Sequence, residues 1–227
     1  MQPTFLPWLG YFSLIDKVDE FIFLDNVQFD KRSWQQRNKI KTKTGASWLS
    51  VPVLSRGRSE QLLKDVQILK EGKLFPLEKI KRAIQQNYSK SQYFEDYSAR
   101  IFQIMDTENR LLCNLNIKLI EEMCHLLKIN TNLKKASDLD CSGSKASLLV
   151  NICKKVGADT YISPPGSKGY LDETDLFELE GIQINYHEYN HPKYQQRFKD
   201  FLPYMSIIDL VFNMGHESIS TIRSGNI

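Results

Sequence analysis

Four histidines, a strand-end acid and a few forked or hydroxylic side chains carry the chemistry open to this sequence. His191 is a general-base candidate, because an imidazole titrates near neutral pH, about 6.5 unperturbed. Asp25 closes the apolar run Glu20-Phe-Ile-Phe-Leu-Asp25, with Asn26 and Gln28 just beyond it. A carboxylate and two amides at a strand end can orient a sugar hydroxyl or activate an amine, and an Asx turn uses the same letters. Arg37-Asn38 adds a planar donor fork suited to a phosphate or carboxylate. Ser163-Pro-Pro-Gly-Ser-Lys-Gly-Tyr170 supplies the hydroxyls of Ser163 and Ser167 and the charge of Lys168 around Gly166. A rigid Pro/Gly turn accounts for the same segment. Cys141-Ser-Gly-Ser-Lys145 has anion-cradle chemistry without Walker spacing, and a helix N-cap at Ser144 explains it equally.

His187 and His191 are four apart, which is metal-ligand spacing on a helix. Here His187 ends a strand, and an extended chain separates the two by roughly 13 Å. A shared metal would need a tight bend at Asn190, so no metal site is assigned. His125 lies in a helical pattern and reads as structural. His216 follows Asn213-Met-Gly215 and can line the same cleft as His191.

The elements that must position these residues are legible from hydrophobic period. Trp8 to Val18 is dense enough for a short buried helix, and Glu20 to Asp25 reads as a core strand. The N-terminal loop Met1 to Gly10 is stiffened by Pro3 and Pro7 and feeds the first helix, whose N–H groups suit an anion; a hydrophobic anchor is the plain alternative. Residues 30–47 read as a basic polar stretch with a turn at Thr44-Gly45, and Trp48 to Val53 as a strand held to an edge or strand end by Pro52. Ser55 to Ser59 is expected as a loop and Asp65 to Leu69 as a short strand. Leu74, Leu77, Ile80, Ile84, Leu112, Leu115, Leu119, Met123 and Leu126 repeat at helical spacing, interrupted over Tyr88 to Phe94. A helix over Ser144 to Val156, a strand over Asp159 to Ser163, a short helix at Leu176 to Leu179, a strand over Gly181 to Glu188 and a helix over Ser206 to Phe212 follow. These spacings predict an α/β fold: a mostly parallel sheet flanked by helices, with a helical insert over residues 72–130 inside a single 1–227 domain.

Composition bounds the rest. With 227 residues the chain can bury a sizeable core without staples. Thirty Lys+Arg against 27 Asp+Glu give +3, too balanced to indicate nucleic acid. Cys113, Cys124, Cys141 and Cys153 lack C-x-x-C spacing and are expected as reduced thiols. No apolar run reaches the roughly 20 residues of a membrane span, so a cytoplasmic location is expected.

Ser218-Ile-Ser-Thr-Ile-Arg223 faintly resembles the Ser/Thr-rich, arginine-ended motif of nucleotidylyltransferases, but no histidine occurs in residues 1–16 to supply their HxGH signature. A broader likeness covers the chain. Gln2-Pro3, Leu6-Pro-Trp-x-Gly-Tyr-Phe12, Asp25-x-Val-Gln28, Arg37-Asn38, Val51-Pro-Val53, Gly157-Ala-Asp-x-Tyr-x-Ser163, Gly166, Tyr170-Leu171, His191-Pro-x-Tyr194 and Asp209-Leu-x-Phe-Asn213 resemble the WbqC-like protein family. The resemblance implies a role in O-antigen or other surface-polysaccharide biosynthesis, with acyl- or aminoacyl (glycine-like) transfer to an amino sugar, nucleotide-linked when it reacts. The base falls to His191 or Asp25. Gln2, Gln28, Arg37, Asn38, Ser163, Gly166, Lys168, Tyr170 and Asn213 are the expected substrate contacts, Arg37 and Lys168 holding phosphate. No cofactor is assigned, and a homo-oligomer is compatible. The alternatives are a nucleotide-binding or nucleotidylyltransferase-like protein and a non-catalytic sugar-binding partner. Relatives usually carry a short strand ahead of Gln-Pro, whereas the numbering here opens at Met1. All of this requires segments near both ends of the chain to meet at a common polar hollow holding Arg37, Ser163 and His191.

Overall fold

The computed structural model describes residues 1–58, 60–69, 77–106 and 110–227. In chain order its elements are α1 (Leu9–Asp16), β1 (Glu20–Phe23), β2 (Arg37–Thr42), β3 (Gly45–Ser50), α2 (Glu78–Tyr88), α3 (Phe94–Asp106) and α4 (Leu112–Leu127). Then come β4 (Asn132–Lys135), α5 (Lys145–Val156), β5 (Thr160–Ser163), α6 (Lys168–Leu171), α7 (Leu176–Leu179), β6 (Gln183–Tyr186), α8 (Ile207–Met214) and α9 (Ser218–Arg223). The architecture is mixed α/β. Two ladders are parallel, β1 with β4 and β5 with β6, and one is the antiparallel hairpin of β2 and β3. Leu74, Ser59 and the first residues of the expected insert lie outside the described residues.

Local chemistry explains most boundaries. Leu9 to Ile15 is buried all round, so α1 needs no polar face. Ser144 caps α5 in a reciprocal capping box with Ser147, and Gly157 ends it in the left-handed region at φ +71°. In the middle of the chain, Leu77, Ile80, Ile84, Leu112, Leu115, Leu119 and Met123 face one continuous core with Phe5, Phe12, Phe23 and Phe212. A smaller cluster of Leu149, Cys153, Phe177 and Ile182 sits where α5 and α7 cover β5 and β6. Three cysteines are buried thiols, and loss of hydration pushes Cys113 and Cys124 up to about 12 and Cys153 to about 11.

Three local expectations are corrected. The basic stretch over 30–47 contains a strand, β2, whose Asn38 and Ile40 point inward while Arg37 and Lys39 lie over the Trp48 ring of β3. Alternation breaks at Lys41, which shares the face of Arg37 and Lys39 yet is buried, its Nζ donating to Gln196 Oε1 and the Asp200 carbonyl. β3 accordingly begins at Gly45 and ends before Pro52, which has no N–H for a ladder. Asp65 to Leu69 is not a strand. A 3₁₀ turn at Leu63–Asp65 is followed by single bridges at Gln67 and Ile68, since too few residues pair in register to make a ladder. Finally, Pro164 to Gly169 is a 3₁₀ turn running into α6, with Pro165 at a position that needs no donor.

Candidate functional site

The loop before α1 holds its shape through amides supplied from distant elements. Leu6 takes φ +43°, which is uphill for a branched side chain. Its carbonyl accepts from Asn38 Nδ2 at 2.7 Å and from Ser206 Oγ at 2.9 Å, and Asn38 also reaches the Phe5 carbonyl at 3.2 Å. Asn116 donates to the Pro3 and Gln35 carbonyls, and Gln35 Nε2 donates to Gln2 Oε1 at 2.8 Å. These bonds aim Trp8 outward over the first turn of α1. Gly10 permits that position, for a Cβ there would fall inside the indole.

Trp8 is the centre of an aromatic cluster built from both ends of the chain. Its ring stacks on His191 (5.9 Å between centroids, 12° between planes) and meets Tyr189 and Tyr204 edge-on. Tyr204 is more than half exposed and His191 half-buried, so the cluster meets solvent. The His191 tautomer is fixed by its neighbours. The Tyr204 backbone N–H donates to Nε2 at 3.0 Å, so the ring proton sits on Nδ1 and points to the Pro192 carbonyl at 2.9 Å. Burial outweighs that carbonyl's stabilisation of the charged form and lowers the His191 pKa below its ordinary value.

His187, at the end of β6, is buried and packs against Tyr189 of this cluster. Its backbone N–H donates to the Ser163 carbonyl, which ties the carboxyl ends of β5 and β6 together. Its Nε2 lies 3.0 Å from Ser13 Oγ, and the serine proton goes to Asn226 Oδ1 at 2.6 Å. Nε2–H is therefore the donor, and the arrangement does not activate Ser13 as a nucleophile. Nδ1 is buried without a partner, and desolvation followed by the charge of Lys17 lowers this pKa to about 4.

The remaining expected residues fall around this frame. Asp25 is buried at the end of β1, with its two oxygens accepting from the Ser137 N–H (2.9 Å) and Oγ (2.6 Å). Ser163 is fully buried and shares a 2.5 Å hydrogen bond with Ser167. Gly166, Lys168 and Tyr170 are exposed beyond it, Lys168 Nζ lying 5.5 Å from the centre of the Tyr186 ring. Asn213 is partly buried and donates to the Asp209 carbonyl, and Gln28 is exposed in a bridge to Leu62. Arg37 faces the outer side of the hairpin, 4.1 Å from the centre of the Trp48 ring, with its Nε buried and unpartnered. Strand alternation puts it opposite Asn38, which faces the loop. Ser163 is joined to His187 by a backbone hydrogen bond and His187 packs on Tyr189, whereas Arg37 lies over Trp48 on the outer side of the hairpin. Arg223 is committed to Asp16 through two bonds of 2.8 and 2.9 Å.

The features that sequence reasoning missed are the Trp8 stack and the Ser13–His187–Asn226 chain. The helical position of Ser13 between apolar neighbours was the available signal, because a hydroxyl buried on α1 needs a partner.

The family model described as the WbqC-like protein family matches residues 2–221. The chain belongs to the WbqC-like family. Membership associates it with polysaccharide biosynthesis. It is 35% identical over 227 residues to a Mycobacterium tuberculosis protein named "Uncharacterized protein Rv1507c", the match covering 98% of this chain and 96% of that relative. No solved structure matches it. In this WbqC-like protein two of the family's motifs meet in one buried knot. Tyr194 of His191-Pro-x-Tyr194 donates to Asp209 of Asp209-Leu-x-Phe-Asn213 at 2.8 Å. No helix among the described residues is long and apolar enough to cross a membrane.

Proposed function

We propose that this WbqC-like protein transfers an acyl or aminoacyl group to an amino sugar during surface-polysaccharide assembly, the sugar being carried on a nucleotide. The observation that supports the reading is the state of His191. Its lone pair is at Nε2, covered by a single N–H from the exposed Tyr204, within an aromatic cluster. A sugar ring stacks on an exposed aromatic ring, and displacement of the Tyr204 N–H frees Nε2 to accept a proton. In the transfer step the amine nitrogen bonds to the carbonyl carbon of an activated donor. The donor's leaving group departs with its electron pair, and the ammonium proton passes to His191. Asp25 suits this task less, as Ser137 occupies both of its oxygens.

Mass spectrometry of ligands retained by the purified protein, followed by incubation with nucleotide-linked amino sugars and acyl donors, tests the reading. A retained nucleotide sugar and formation of an amide are expected. His191→Ala should lower kcat by roughly 10²–10⁴ with the fold intact. Unchanged turnover removes His191 from the mechanism, and tight sugar binding without turnover across the donors leaves a sugar-binding partner instead.

A further inference from the structure

Charge is distributed unevenly over this protein. The 28 residues from Lys31 to Arg58 hold eight Lys+Arg and no Asp or Glu, whereas the other 199 carry 22 Lys+Arg against 27 Asp+Glu. The mild excess of +3 therefore conceals a basic segment on an otherwise acidic chain. That segment is the β2–β3 hairpin with the stretches that lead into and out of it. Elsewhere cations are neutralised by acids: Lys81 by Glu78 and Asp106, Arg100 by Glu122, Lys134 by Glu20 and Arg223 by Asp16. Lys31, Arg32, Arg37, Lys39 and Lys43 have no ion-pair partner among the described residues. Clustered unpaired charges of one sign repel each other, and an outside anion relieves that repulsion.

Two of the three tryptophans stand on the same part of the molecule. Trp34, ahead of β2, is 48% exposed, and Trp48 on β3 is 42% exposed, although burial of an indole is strongly favoured. Their rings lie 5.3 Å apart, tilted by 40°. The Arg37 guanidinium sits 4.1 Å and the Lys39 ammonium 4.9 Å from the centre of the Trp48 ring. The donor fork of Arg37 meets no acceptor among the described residues, which leaves it open to a phosphate. Exposed indoles ringed by cations match the surface of an anionic bilayer. There an indole rests at headgroup level with its apolar body toward the acyl chains, and Lys and Arg are drawn to the lipid phosphates. Nucleic acid matches less well. Bases stack on open ring faces, whereas Trp34 and Trp48 are too close to admit a base between them, and Arg37 covers one face of Trp48.

We propose that the outer face of the β2–β3 hairpin docks this protein on an anionic phospholipid bilayer, Trp34 and Trp48 settling at headgroup level and the surrounding Lys and Arg residues holding lipid phosphates. The acidic remainder of the molecule is repelled by the same surface, so the field presents the hairpin first. On the inner side, Ile40 and Leu49 fix the hairpin in the core, and Asn38 ties it to the loop that aims Trp8. Docking therefore holds the aromatic cluster at a set orientation to the membrane. The contact is peripheral, since no helix among the described residues is long and apolar enough to cross. This inference stands apart from the transfer reading, for no part of it depends on turnover.

Vesicle co-sedimentation tests it, with phosphatidylcholine alone against phosphatidylcholine mixed with phosphatidylglycerol, at low and at high salt. Binding to the anionic vesicles should be at least roughly 10-fold tighter than to the neutral ones and should weaken as salt rises. Lys39→Glu combined with Lys43→Glu should weaken it by roughly 10-fold or more. Lys118→Glu combined with Lys155→Glu makes the same change of net charge at exposed positions elsewhere and should weaken it much less. Acyl chains brominated near the headgroup should quench the tryptophan fluorescence of the unaltered protein, a readout that needs no variant to fold, and Trp34→Ser combined with Trp48→Ser should remove the quenching. Absent binding, equal binding to both kinds of vesicle, equal loss in the two charge-reversed pairs, or no quenching overturns the proposal. So does a protein that ignores vesicles but loses affinity for a single-stranded oligonucleotide, or loses self-association, when both tryptophans are replaced. Those results would give the face to nucleic acid or to a second copy.

Discussion

Asp209 is fully buried and satisfied by three donors, Tyr88 at 2.7 Å on one oxygen and Tyr194 at 2.8 Å and Gln196 at 2.7 Å on the other. Burial raises its pKa, and the same three bonds and the charge of Lys41 oppose that rise. Asp209→Asn keeps the volume but turns one acceptor into a donor facing donors, and it strips buried Lys41 of a countercharge. A loss of about 3 kcal/mol in urea unfolding is expected. The two shifted imidazoles make a pH prediction. Both are held neutral in the folded chain and regain an ordinary pKa near 6.5 on unfolding. Between that value and about 4, the folded pKa of His187, the unfolded chain binds more protons, so stability drops as pH falls through this window. His187 contributes on the order of 2 kcal/mol. His187→Gln should flatten the dependence of the urea midpoint on pH between 7 and 4.5, and an unchanged slope refutes the assignment. On the proposed reading, in which His191 takes the amine proton, the acid limb of the transfer rate belongs below pH 6.5.

At the scale of elements, the N-terminal loop and α1 act as one piece that aims Trp8. Gly10→Ala keeps good helix propensity, so a gain of several tenths of a kcal/mol would be expected from propensity alone. Overlap with the indole wins, because overpacking costs about 1–3 kcal/mol. The variant should be less stable, with altered tryptophan fluorescence as the ring leaves the His191 stack. A more stable protein with unchanged fluorescence would show that the ring does not rest there. The same hairpin that clamps this loop through Asn38 turns Trp48 outward, where its ring lies 5.3 Å from that of Trp34 just ahead of β2, both exposed. Its inner and outer faces therefore have separate tasks.

Over the whole molecule, the C-terminal tail closes on α1. Gly225 accepts from the Asn190 N–H through its carbonyl, and a side chain at Gly225 would meet the Asn190 carbonyl and the Tyr189 ring. Asn226 accepts from Ser13, and Arg223 pairs with Asp16. The ion pair is largely exposed on the arginine side and contributes about 0.5 kcal/mol. The buried hydrogen bonds matter more. Deletion of residues 224–227 should cost about 2–3 kcal/mol, and Arg223→Ala less than 1 kcal/mol, by urea unfolding. A reversal of that order would make the ion pair the clasp.

The sequence by itself determined the elements whose signal is local and the family to which they belong. Apolar spacing marked α1, β1, α5, β5 and α8, and Ser144 marked the start of α5. It missed β2 because a buried lysine breaks alternation, and that lysine is tolerated only through partners at 196 and 200. Tertiary structure alone decided the tautomer of His191, the partners of Asp25 and Asp209 and the cavity beside β1. The physical reason is range. Helical and strand periods are set by neighbours a few residues apart, whereas Ser13 meets Asn226 across 213 positions, and no spacing in a sequence records which distant groups a fold brings to one another.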